Sequence, residues 1–352
     1  MKKLRVGVIG VGTISDMHIK SYLNNKNVEL VALCDINKER LIEKAQKYNV
    51  IKTFTDYNKM LTMDELDAVS ICTWNNVHAP IAIAAIKAGK HVLNEKPLCI
   101  SVEEALEVEK AAKNSNKVFQ VGFVRRYASN SKVIEEYIKN GDVGDIYYAK
   151  ASCIRRIGNP GGWFSDLNRS GGGPLIDLGV HIIDIMWYMM GKPEVKSVSG
   201  NVYNKLGNMS NIKDKSFYKT ADYSADNNSV EDMANALIRF SNGASMFVDV
   251  SYSLHTEKDV VSIELHGTKA GVSIEPACKI YTVKFNRLVD IIPNVDNPSF
   301  NFEQSFQNEI DSFVDCCLNG KQTLSPIEDG VTLMKILNAV YYSSKCGQEI
   351  VF

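Results

Sequence analysis

The 352-residue chain carries no strong charge of either sign: 40 Lys and Arg stand against 41 Asp and Glu, a net charge of −1. That balance argues against a basic nucleic-acid binder and against a disordered chain. Long hydrophobic runs are also missing. The best stretch, residues 178–190, is shorter than the roughly 18–20 residues a membrane-spanning helix needs, and His181 and Asp184 interrupt it. No membrane partner is expected. The apolar run after Lys2 and Lys3 is too short for a secretory leader and passes into glycines and Asp16 without a small-residue cleavage site. A cytoplasmic location is the expectation. The eight cysteines are scattered and none forms a C-x-x-C pair, which reads as reduced thiols. No third ligand stands at metal-binding spacing near Asp177 and His181, so no metal is expected.

The composition, 45% apolar and 23% charged, is that of a globular protein, and the length suggests about two domains at roughly 150 residues each. Strand and helix patterns alternate through residue 123. An apolar run at 4–9 precedes a helical pattern at 16–24; a strand at 29–34 precedes a helix at 38–48. Strands at 68–73, 91–93 and 118–123 enclose helices at 79–88 and 102–113, the latter capped by Ser101 with Glu104 in the capping-box position. This predicts an α/β Rossmann domain, a doubly wound parallel sheet, over 1–123. Residues 124–352 read as an α+β domain with a largely antiparallel open sheet. Helical patterns at 131–140 and 175–190 and strand patterns across 195–274 lead to two closing helices at 303–318 and 327–344. The polar, Asn-rich segment 204–228 reads as a mobile loop rather than a site.

Gly10-Val11-Gly12-Thr13-Ile14-Ser15 follows the first strand and opens the first helix, the context a dinucleotide fingerprint requires. Gly10 allows the tight turn, and Gly12 lets the main chain approach a pyrophosphate at the helix N-terminus. Asp35 ends the next strand, where a carboxylate bonds ribose hydroxyls and repels a 2′-phosphate, so NAD is preferred over NADP. Lys38 and Arg40 stand too far along to count as phosphate ligands. Thr73, Trp74, Asn75 and His78, at the carboxyl end of the strand 68–73, should border the same ligand. Glu95-Lys96-Pro97 holds the equivalent place after the strand 91–93.

The chain resembles the Gfo/Idh/MocA oxidoreductases, the family of glucose-fructose oxidoreductase and inositol dehydrogenase. The resemblance rests on Gly10-Val11-Gly12, His78 through Ala88-Gly89-Lys90-His91-Val92, Glu95-Lys96-Pro97, the run from Gly171-Gly172-Gly173 through Asp177 and His181 to Asp184, and Val230-Glu231-Asp232. Trp74 departs from it, standing where many members carry proline. By resemblance, Lys96, Asp177 and His181 face the nicotinamide and bind the hydroxyl that is oxidised, and the open sheet forms a dimer or tetramer interface. Asp177 and His181 stand i, i+4 on one helical pattern, and Asp184 can join them. A histidine suits the proton transfer and a lysine the developing alkoxide. The expected roles are therefore His181 as acid/base, Lys96 as electrostatic partner and Asp177 as a hydroxyl ligand that tunes His181.

Further expected substrate contacts are Arg126 and Tyr127, which resemble an inositol dehydrogenase segment, and Trp163 as a stacking wall. Arg155, Arg156 and Phe164 lie in the same loop as Trp163; His255 and His266 read as structural. The expected cofactor contacts are Gly10, Gly12, Thr13, Ile14, Asp35, Thr73, Trp74, Asn75, His78, Glu95 and Lys96. The expected activity is NAD-dependent hydride transfer at a secondary hydroxyl or ketone of a cyclic polyol, sugar or sugar derivative. Two competing readings are redox-assisted glycoside cleavage with recycled NAD, and a sugar- and dinucleotide-sensing regulator without turnover.

Overall fold

The computed structural model describes residues 3–213, 216–225 and 228–352. A six-stranded parallel sheet holds β1 (Leu4–Ile9), β2 (Val28–Cys34), β3 (Lys52–Phe54), β4 (Ala68–Ile71), β5 (His91–Glu95) and β6 (Phe119–Gly122) in the order β3-β2-β1-β4-β5-β6. Helices α1 (Ser15–Asn24), α2 (Lys38–Tyr48), α3 (Tyr57–Leu61), α4 (His78–Lys87) and α5 (Val102–Lys113) supply the crossovers. Residues of β4 and β6 are buried throughout, as strands covered on both faces must be, with the polar Ser70 and Gln120 enclosed among apolar neighbours. The strand order reverses between β1 and β4, which opens a crevice at their carboxyl ends. The short β3 and α3 had not been expected.

The remaining chain forms α6 (Ser129–Lys139), the short α7 (Leu167–Ser170), α8 (Val180–Met189), α9 (Phe302–Asn319) and α10 (Ile327–Cys346) around a nine-stranded sheet. Its strands are β7 (Ile146–Ile154), β8 (Val195–Tyr203), β9 (Met233–Phe240), β10 (Ser245–Ser251), β11 (Val260–Gly267), β12 (Ala270–Glu275), β13 (Lys279–Lys284), β14 (Arg287–Ile291) and β15 (Ile350–Val351). They run in the order β14-β13-β12-β11-β7-β10-β9-β8-β15, antiparallel except where β10 lies parallel to β7. The helix expected over 175–190 is instead a single π turn, Leu175–Gly179, followed by α8. Helix α9 returns to the first sheet: its Ile310, Phe313 and Val314 share one apolar cluster with Leu4, Val6 and Val8. No helix is long and apolar enough to cross a membrane, among the described residues. All eight cysteines are unpaired, and six are buried.

Candidate active site

Gly10 adopts φ +86°, and a Cβ there would stand 2.5 Å from the Cys72 carbonyl oxygen, so only glycine fits where β1 and β4 end side by side. A cleft of about 510 Å³ opens above this point, lined by Gly10, Gly12, Thr13, Ile14 and Asp35 on one side and Thr73 and Trp74 on the other. Asp35 is held rigidly: its Oδ2 accepts the Val11 amide at 2.7 Å and its Oδ1 the Asn37 amide at 2.7 Å. One carboxylate thus sets the curve of the glycine loop and brings negative charge to the cleft.

The cleft fits the dinucleotide. A Cβ built on Gly12 meets nothing within 4 Å, so the main chain there faces open space that a close-lying pyrophosphate would fill. Gly12→Ala is therefore expected to leave the thermal stability of the ligand-free protein unchanged while weakening NADH binding by roughly tenfold or more, as read by fluorescence titration. Unchanged affinity would separate Gly12 from the cofactor.

Other expected cofactor contacts act from behind the wall. His78 is buried, with Nδ1 2.8 Å from the Pro97 carbonyl oxygen and Nε2 3.2 Å from that of Thr73. Asn75 Nδ2 donates to the Ser170 carbonyl at 2.7 Å, tying this loop to α7. Glu95 is buried against His18, whose Nε2 lies 2.8 Å from Oε1, while Glu95 Oε2 accepts the Lys96 amide at 3.1 Å. These three residues fix the loops that carry Thr73 and Lys96.

Lys96 Nζ donates to Asp177 Oδ1 at 2.8 Å and to the Asp177 carbonyl at 3.1 Å. The buried Tyr252, just past β10, donates its hydroxyl to Asp177 Oδ2 at 2.9 Å. Burial pushes the Asp177 carboxyl up, but Lys96, Arg155 and the Tyr252 hydroxyl outweigh it and hold the pKa below the ordinary value. Asp177 makes no hydrogen bond to His181, contrary to the expectation that it tunes that ring. His181 Nδ1 is buried with no hydrogen-bond partner among the described residues. Burial, reinforced by the positive charges of Lys96, Arg125 and Arg155, holds the imidazole pKa well below 6.5, so it is neutral at neutral pH.

The π turn that presents Asp177 is pinned from across the domain. Glu231 accepts the Gly173 amide at 2.9 Å, the Leu175 amide at 3.2 Å and the Tyr341 hydroxyl at 2.8 Å. The glycine run is required by this packing: a Cβ on Gly172 would lie 2.0 Å from the Tyr341 hydroxyl and one on Gly173 2.3 Å from the Glu231 carbonyl oxygen.

Arg126 and Tyr127 are not brought to the site, and this corrects the expectation that they reach a substrate. Arg126 has a fully buried side chain. Its Nε and Nη2 donate to Asp184 at 3.0 and 2.6 Å, and its Nη1 donates to Asp329 at 2.5 Å. Asp184 therefore faces Arg126 and does not join Asp177 and His181. Tyr127 is buried, with its hydroxyl 3.1 Å from that of Ser325. Trp163 lines the cleft together with Phe164, their ring centroids 3.9 Å apart.

Sequence reading also passed over the segment 204–228. Residues 214–215 and 226–227 of it lie outside the described residues, but Tyr218, Thr220, Ala221 and Asp222 line the cleft. Tyr218 is about half exposed, hydrogen-bonds Thr13 and feels the charges of Asp177 and Glu95, so it stands between the glycine loop and the Lys96 cluster. Aromatic residues in an otherwise polar, Asn-rich stretch were the signal available.

A nucleotide-binding crevice at the sheet's switch point, adjoining Lys96 from the end of β5 and Asp177 and His181 from the second half of the chain, defines an NAD-binding oxidoreductase. Residues 4–123 match the oxidoreductase family with NAD-binding Rossmann fold, and residues 132–273 match the GFO/IDH/MocA C-terminal domain. The chain belongs to the GFO/IDH/MocA family of oxidoreductases, with its NAD-binding Rossmann fold. It is 32% identical to D-glucoside 3-dehydrogenase of Escherichia coli (strain K12), over 99% of this chain and 97% of that protein. It is 29% identical to myo-inositol 2-dehydrogenase of Thermotoga maritima, over 70% and 68%. A solved structure of levoglucosan dehydrogenase in complex with NADH and levoglucosan shares the fold, with a TM-score of 0.87 at 22% identity over 99% of both chains.

Proposed function

We propose that this dehydrogenase oxidises a secondary ring hydroxyl of a glucoside or a related cyclic sugar or polyol, with Lys96, Asp177 and His181 as its catalytic residues. The observation that carries this is the Lys96 ammonium, held 2.8 Å from a carboxylate oxygen and within electrostatic reach of an imidazole whose Nδ1 has no partner among the described residues. The end-to-end identity with a glucoside dehydrogenase supports the sugar class. When bound, NAD supplies the hydride acceptor. Asp177 and Tyr252 hold Lys96 in place, where its charge steadies the substrate oxygen as negative charge develops on it. His181, neutral at working pH, takes the hydroxyl proton. Exposed Val283, Phe285 and Leu288 at the β13–β14 hairpin support assembly into a dimer or tetramer.

The test is NADH formation by the purified protein across glucosides, free sugars, inositols and sugar acids, with product analysis. NADH with an oxidised sugar supports the proposal. Glycoside cleavage without net NADH would replace it with redox-assisted cleavage, and binding without turnover anywhere in the panel would favour a sensor. Because the His181 pKa lies well below 6.5, the acid limb of kcat/KM is expected well below pH 6.5. A limb at or above pH 6.5 that disappears in His181→Asn would contradict the role given to that ring.

A further inference from the structure

We propose that Asp222 excludes NADP by occupying Arg40, which makes it a determinant of cofactor choice contributed by the second half of the chain. Asp35 marks the ribose end of the cleft, and Ile36, Asn37 and Arg40 continue the same wall. Contrary to the expectation that Arg40 stands too far along to meet a phosphate, it lines the cleft from the first turn of α2 and is the single cation there among the described residues. A guanidinium at this place is the group that takes the 2′-phosphate of NADP in a Rossmann site, because its fork matches phosphate oxygens. Here one arm of that fork is already engaged. Arg40 Nη2 donates to Asp222 Oδ1 at 2.5 Å, with the Arg40 side chain 18% exposed.

The consequence follows from charge. Asp35, Asp222 and Arg40 leave this end of the cleft with one net negative charge. A 2′-phosphate would have to displace Asp222 from Arg40 and then stand between two carboxylates, whereas ribose hydroxyls meet no such cost. The segment carrying Asp222 is placed by contacts that do not involve the ion pair. Gly162 donates its amide to the Ser224 carbonyl at 2.8 Å, and the Thr220 amide donates to the Pro160 carbonyl at 3.1 Å. A Cβ on Gly162 would stand 2.4 Å from the Asp222 carbonyl oxygen, so the glycine admits the segment at close range. Asp222→Asn therefore frees Arg40 without releasing the main chain.

The experiment titrates NADH and NADPH separately into wild type, Asp222→Asn, Asp222→Glu, Arg40→Gln and the Asp222→Asn/Arg40→Gln double variant, reading nicotinamide fluorescence with no substrate present. Asp222→Asn is expected to tighten NADPH by about tenfold, about 1.4 kcal/mol, with NADH changed by less than about threefold. Asp222→Glu keeps the wild-type ratio, and the double variant loses the gain. An unchanged NADPH to NADH ratio in Asp222→Asn, including an equal loss of both, overturns the proposal. So does a gain that survives the removal of Arg40.

Discussion

Lys96→Ala is expected to lower kcat by about 10²- to 10³-fold, the loss typical of removing one preorganised charge from a site where negative charge develops. Among the described residues the side chain makes two hydrogen bonds, both to Asp177, and Asp177 is itself fixed by Tyr252. The ammonium is therefore already positioned before substrate arrives, and that preorganisation is what the substitution removes. NADH affinity should change far less, because Lys96 lies beyond the glycine loop and Asp35. Lys96→Arg is not expected to rescue, since a planar guanidinium cannot sit on one carboxylate oxygen and a main-chain carbonyl in the same geometry. Steady-state kinetics beside NADH titration decides the matter. A kcat within tenfold of wild type would remove Lys96 from the chemistry.

The largest effect on stability is expected at Arg126. Arg126→Met leaves the buried Asp184 without its partner and deprives Asp329 of one of two cations, the other being Lys192 at 2.5 Å. Breaking a buried pair from one side costs roughly 3–5 kcal/mol, which urea denaturation at pH 7 would read. Burial lifts the Asp184 carboxyl to about 6, against the pull of Arg126, so the pair is ionised at neutral pH. A folded pKa raised above the unfolded value contributes stability below the unfolded pKa, about 4, and loses it as pH rises through about 6. Without Arg126 that loss deepens, so the variant's deficit should be smaller at pH 5 than at pH 8. KM for the substrate should stay within about twofold at low temperature, because the side-chain contacts with Asp184, Leu324 and Asp329 lie away from Lys96 and Asp177. A KM rise with intact stability would restore the substrate role that the sequence suggested.

The contrast between Arg126 and Gly10 shows where sequence suffices. The glycine fingerprint, the carboxylate that ends β2 and the alternation of strands and helices are local patterns, and local sterics and burial enforce them. Asp35 can be placed at the cleft because it follows an apolar strand. Arg126 cannot be placed from its neighbours: its partners Asp184 and Asp329 lie 58 and 203 residues away, and a paired Arg125-Arg126 looks the same exposed or buried. The segment 204–228 was unreadable for the same reason. Its polar composition is that of a surface loop, and its place against the cleft depends on main-chain contacts with Pro160 and Gly162, far back in the sequence. Lys96 and Asp177 were legible as a pair through family motifs, but Tyr252 and Glu231, which hold them, act through contacts with no sequence periodicity.

The return of α9 to the first sheet has a bearing on how the chain is made. On a ribosome the glycine loop and all six strands of the first sheet emerge long before Ile310, Phe313 and Val314, which complete that sheet's apolar cover. Until then Leu4, Val6 and Val8 lack that part of their packing, and the nascent nucleotide-binding half presents an apolar surface of the kind that chaperones bind. Its maturation is consequently tied to the end of synthesis, so truncation before residue 302 would impair cofactor binding even though every cleft residue would still be present.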